Sequence, residues 1–76
     1  MTTQNFPQYR KHKNGKNFYK INHAKHFDEI QLIGTRKLHY TINANQYPEM
    51  VRIMDMLNLE EPFVLSDEKE WSENVG

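Results

Sequence analysis

The chain is predicted to be an α+β domain: a small antiparallel sheet of three or four strands, with one packed helix and a short C-terminal helix. Two stretches of alternating apolar residues, "FDEIQLIG" from Phe27 and "KLHYTINA" from Lys37, read as paired strands across a short turn. A third stretch, "YPEMVRIMDML" from Tyr47, repeats its apolar residues at helical spacing behind a proline.

Taken in order, residues 1–16 read as a flexible basic tail. "QYRKHKNGK" has no sustained period, and Asn14-Gly15 is a turn pair. Phe6 and Tyr9 are apolar enough to pin part of this tail to the domain, which is placed at residues 17–76. "NFYKI" supplies the first strand, with Tyr19 and Ile21 pointing one way. Residues 22–26 connect it to the next, and Asn22 can cap a helical turn there. In "FDEIQLIG", Ile30 and Leu32 share one face while Phe27 and Ile33 take the other. Gly34 and "TRK" form the turn. Leu38, Tyr40, Ile42 and Ala44 then face one side, with His39, Thr41 and Asn43 on the other.

Asn45 is placed to cap the helix, Pro48 fits its first turn, and Glu49 suits its positive end. Tyr47, Met50, Val51, Met54 and Leu57 trace the stripe expected to cover the sheet. Ile53 and Met56 widen its flank, and Arg52 and Asp55 stay outside. Asn58 ends the helix after about 12 residues, and Pro62 cannot continue it. "FVL" offers an edge strand. Ser66 or Asp67 then caps "DEKEWSENV", where Trp71 and Val75 lie four apart and clamp the last turns to the domain.

A chain of 76 residues supports one domain with a small core. Such a core confers about 3–5 kcal/mol unaided. Cysteine is absent, which excludes disulfides, thiolate metal sites and cysteine nucleophiles. The apolar content of 37% is clustered rather than scattered, despite a mean hydropathy of −0.93. No spanning segment or signal peptide is visible, so the expected setting is cytoplasmic, with no membrane partner.

The balanced net charge hides a split. Residues 1–40 hold eight Lys/Arg against two Asp/Glu, and residues 41–76 hold two against eight. One reading of the basic half is a nucleic-acid surface. Arg10, Lys11, Lys13, Lys16, Arg36 and Lys37 would meet phosphates, and Tyr9 and Tyr19 would stack on bases. The other reading lays the basic front against the acidic back, within one molecule or across a dimer.

No catalytic motif is present, so no enzyme activity, cofactor or metal is assigned. His23 and His26 have helical metal-ligand spacing, with His12 or Asp28 as further donors, but no third ligand has fixed spacing; they are read as surface histidines. His39 is read as a solvent-facing or locally hydrogen-bonded strand residue rather than a catalytic base. Met50, Met54 and Met56 read first as core packing and Trp71 as a lid over the small core; the adaptable methionines and the large Trp71 ring also admit an interface. Ile53, Met56 and Trp71 are its candidate residues, in an accessory or protein-interaction domain, with a homodimer as one form.

The order of "FYKI", "EIQLIG", Tyr47-Pro48 and Ser66 with Glu68 and Trp71 resembles a group of small uncharacterised proteins of Bacteroidetes. The resemblance spans residues 18–71. It implies one intact small domain and carries no function.

Overall fold

Three tight turns lay out the first four strands. The computed structural model describes residues 6–75. β1 (Gln8–His12) and β2 (Asn17–His23) are joined around Asn14-Gly15, with Gly15 at φ 75°. β2 meets β3 (His26–Ile33) across Ala24 and Lys25. β3 meets β4 (Arg36–Asn43) across Gly34 and Thr35, with Gly34 at φ 61°. Both glycines occupy the left-handed region, which side chains with a Cβ resist. The β3–β4 turn is thus shorter than expected, and Arg36 and Lys37 belong to the strand.

Helix α1 (Tyr47–Leu57) crosses one sheet face to β5 (Phe63–Leu65), and α2 (Glu68–Val75) follows. The sheet has five antiparallel strands in the order β4-β3-β2-β1-β5. The α+β architecture stands, with one strand more than expected. That strand is β1, which lies between β2 and β5 rather than trailing as a tail. Its alternation was hidden because one face presents Gln8, Arg10 and His12, not apolar residues. Met1–Asn5 lie outside the described residues. The segment around Asn22, expected to allow a helical turn, is strand up to His23, with a register shift before it.

Residues opposed in the ladders share a face. Arg10 opposes Tyr19, Tyr19 opposes Glu29, and Glu29 opposes Tyr40. Under α1, the core consists of Tyr19, Ile21, Phe27, Ala44, Ile53 and Met56, with Phe6, Ile42, Leu57 and Phe63 around it. A smaller cluster fills the opposite face, where Phe18, Ile30 and Trp71 pack with Tyr9 and Leu32. Each helix therefore covers one side of the sheet.

Helix α1 sits about a third of a turn away from the expected orientation, at about 3.6 residues per turn. Ile53 and Met56 are fully buried, whereas Tyr47, Met50 and Met54 are exposed. The cause is polar. Glu29 is an inward acid on β3, and Arg52 turns toward the sheet to meet it at 3.1 Å. Arg52 also lies 5.5 Å from the Tyr19 ring centroid and 5.6 Å from that of Phe27. A helix that places Arg52 over the sheet carries Ile53 and Met56 inward with it.

The helix ends also differ in detail. Gln46, not Asn45, occupies the N-cap, and Glu49 accepts its N–H at 3.3 Å. At the far end, Leu59 takes φ 57° beyond Asn58. Leu59 N–H donates to the Met56 carbonyl and Glu60 N–H to that of Asp55, the double closure of a Schellman turn. For α2, Asp67 Oδ1 accepts the Glu70 N–H at 2.8 Å, which makes Asp67 the cap.

Candidate functional site

The fold divides the cations proposed for phosphate contact into buried, ion-paired and exposed groups. Arg10 is buried, with its side chain drawn to the end of α1. Its Nε donates to the Met56 carbonyl at 2.8 Å, NH1 to the Tyr9 carbonyl, and NH2 to Gln8 Oε1. A cation at a helix C-terminus is well placed against the dipole. Burial lowers the Arg10 pKa from its ordinary value, yet arginine keeps its charge. Tyr19 is likewise buried, and burial raises its hydroxyl pKa while Arg52 opposes the shift. Arg10 and Tyr19 therefore leave the list of surface contacts. Sequence reasoning placed Arg10 in a polar tail and Tyr19 in an apolar strand, and had no register to show which side they faced.

Tyr9 is half-buried against Trp71, with ring centroids 6.5 Å apart. Burial, with Glu68 nearby, raises its hydroxyl pKa. Lys11 meets Glu70 at 2.8 Å and Lys13 meets Glu61 at 3.2 Å. These pairs join the basic first half of the chain to the acidic second half. Lys16, Arg36 and Lys37 remain exposed.

Glu70 accepts from both Lys11 and Ser66, which hold its pKa below the usual glutamate range. Its charged form supports folding above the unfolded pKa, and that support fades as pH falls through the lower folded one. An NMR titration of side-chain carboxyl carbons should place the Glu70 midpoint below the ordinary glutamate value. Lys11→Met should move it back up toward that value.

The interface candidates are also relocated. Ile53, Met56 and Trp71 lie inside the molecule at 1%, 0% and 6% exposure, so none offers a surface to a partner. The exposed apolar residues of α1 are Tyr47, Met50 and Met54, at i, i+3 and i+7 on one flank. Tyr47 is 79% exposed and Met54 59%. They belong to the stripe that the sequence placed against the sheet, of which Leu57 does pack against the core. The signal that could have corrected this was the pair of opposite charges, Glu29 inside an alternating strand and Arg52 beside Ile53.

The histidines form polar surface contacts. His23 and His26 stack across the β2–β3 turn with centroids 5.5 Å apart. Asn22 Nδ2 lies 2.9 Å from His26 Nδ1 and donates to Asp28 Oδ2 at 3.1 Å. Asp28 Oδ1 accepts from Thr41 Oγ1 at 2.8 Å and lies 3.9 Å from His39 Nε2. His39 is exposed, as expected, and its ring also meets Trp71 edge-on at 5.9 Å. Among the described residues, no group of three or more His, Cys, Asp or Glu is arranged to hold a metal. No pocket is found among them, and no helix is long and apolar enough to cross a membrane. No protein-family model, curated protein or solved structure matches the chain.

Proposed function

We propose that this chain is a protein-interaction module, and that the exposed flank of α1 is its contact surface. The observation that carries this reading is the row of Tyr47, Met50 and Met54, left in solvent beside a core that is already filled. Tyrosine and methionine are enriched in protein interfaces, and methionine adapts to varied partners. The row has the length and spacing of one side of a helix–helix seam. The helix lies in the acidic second half of the chain, with Glu49, Asp55, Glu60 and Glu61 on or just after α1. The occupant that fits is an amphipathic helix of another protein, apolar on one side and flanked by lysine or arginine.

Methionine methyl resonances test this directly, because the chain has four methionines and three lie on α1. Titration with a Leu/Lys amphipathic peptide should shift the Met50 and Met54 signals and leave that of buried Met56 in place. Met50→Lys with Met54→Lys should abolish binding. The reading fails if neither methyl moves, or if a scrambled peptide of equal composition moves both equally.

A second reading keeps the nucleic-acid alternative in reduced form. The β1–β2 and β3–β4 turns lie at one end of the sheet, where Leu32 N–H donates to the Lys16 carbonyl and Leu32 opposes Lys37. Lys13, Lys16, Arg36 and Lys37 thus gather at that end. Oligonucleotide binding there would weaken steeply with salt. Absence of binding at low salt would end this reading.

A further inference from the structure

Strand β4 is the long free edge of the sheet. Its eight residues bond to β3 on one side and, among the described residues, to no strand on the other, whereas the opposite edge, β5, has three residues. Edges of this length are usually defended by a central charge, a proline or a bulge. In β4 the cations are confined to Arg36 and Lys37 at the turn end. The strand contains no proline, and its register with β3 runs unbroken from Ile33↔Arg36 to His26↔Asn43.

The direction of its free backbone groups can be read from one hydrogen bond. Ala44 N–H donates to the Lys25 carbonyl at 2.7 Å, just beyond the end of the ladder. Along an antiparallel pair, bonding alternates residue by residue. Residues 38, 40 and 42 therefore bond inward to β3. Lys37, His39, Thr41 and Asn43 direct their backbone N–H and C=O groups outward, except that the Asn43 carbonyl accepts the Asn45 N–H.

We propose that a second copy of this chain pairs with this edge, β4 antiparallel to β4, across a two-fold axis at Tyr40. The pairing joins two five-stranded sheets into one continuous sheet. Lys37 then bonds opposite Asn43, and His39 opposite Thr41. On the α1 side of the sheet, Tyr40 meets its own copy and Leu38 meets Ile42, giving a continuous apolar row from residues that the monomer leaves exposed or half-buried. No like charges oppose each other, because Arg36 falls beside Ala44. Moving the axis to His39 would instead set Arg36 against Ile42 and His39 against itself. The two-fold arrangement satisfies both edges with one patch, as isologous dimers do. The proposal is independent of the α1 flank, so either can fail alone.

The chain has no cysteine, so single cysteines can map the pairing. Tyr40 would occupy a non-hydrogen-bonded pair with Cα atoms about 4.5 Å apart, inside disulfide reach. Under mild oxidation, Tyr40→Cys should convert almost wholly to a covalent dimer, while Val64→Cys on the β5 edge stays monomeric. Wild-type protein should show a concentration-dependent dimer in sedimentation. Tyr40→Lys should lose it with an unchanged circular dichroism spectrum, since the substitution places two ammonium groups on the axis. A wild type that stays monomeric throughout, or Tyr40→Cys that links no faster than Val64→Cys, overturns the proposal. Linking through His39→Cys in place of Tyr40→Cys overturns the register.

Discussion

Met56→Ala is expected to cost about 2–4 kcal/mol, whereas Met54→Ala, two residues away on the same helix, should change stability by less than about 0.5 kcal/mol. Met56 is completely buried beneath α1, among Tyr19, Ile21, Phe27 and Ile53. Truncation removes most of its apolar contact and leaves a cavity that a sheet-backed core closes poorly. Met54 is mostly in solvent and has little to lose. A domain of this size has only a few kcal/mol in reserve, so Met56→Ala should approach the unfolding threshold. Urea denaturation of the two variants reads the difference. A reversed order, with Met54→Ala the costlier, would mean that α1 is oriented as its apolar stripe alone suggests. Because the two substitutions are chemically identical, helix propensity and unfolded-state effects largely cancel in the comparison.

Arg52→Met is expected to destabilise the fold by about 2–3 kcal/mol. The value is set below the roughly 3–5 kcal/mol of a fully buried pair because water still reaches Arg52. Its partner Glu29 has a side chain only 4% exposed and accepts from Asn17 at 3.3 Å, Gln31 at 3.0 Å and Arg52 at 3.1 Å. Removing Arg52 leaves a buried carboxylate with two neutral amide donors and no counter-charge. Glu29→Gln in the Arg52→Met background removes that charge and should recover most of the loss. A double-mutant cycle in urea therefore separates a stranded charge from lost packing over Tyr19 and Phe27. If the second substitution restores nothing, the cost lies in the stacking of the guanidinium rather than in its charge.

These two experiments address the same feature from opposite sides, and it is the feature least legible in the sequence. Strands β2, β3 and β4 were readable because Tyr19 and Ile21, Ile30 and Leu32, and Leu38 through Ala44 keep a period of two. The start of α1 was readable from Pro48 and Glu49, and α2 from Asp67 and Trp71. β1 was not, because its inward positions are polar and its pairing is a long-range event: Arg10 gains its meaning only from the Met56 carbonyl 46 residues away. The facing of α1 was missed for a related reason. Its apolar residues cover more than half of the helix, so hydrophobicity alone does not choose among Met50, Met54, Ile53 and Met56. The choice is made by one ion pair between elements distant in the chain, which no local period encodes. The site inherited the second error, since Ile53 and Met56, two of the interface residues named from the sequence, are those the ion pair turns inward, while Trp71 packs in the opposite layer.

The two-sided packing of the sheet has a practical consequence for anyone following this protein by light. Trp71 is the chain's single tryptophan, and it belongs to the smaller layer, held by eight C-terminal residues against Phe18 and Ile30. Tryptophan emission therefore reports the departure of the short α2 segment, while the larger layer beneath α1 contributes no tryptophan signal. An emission curve that leads the loss of ellipticity would be the signature of an unlatched end on an otherwise intact molecule.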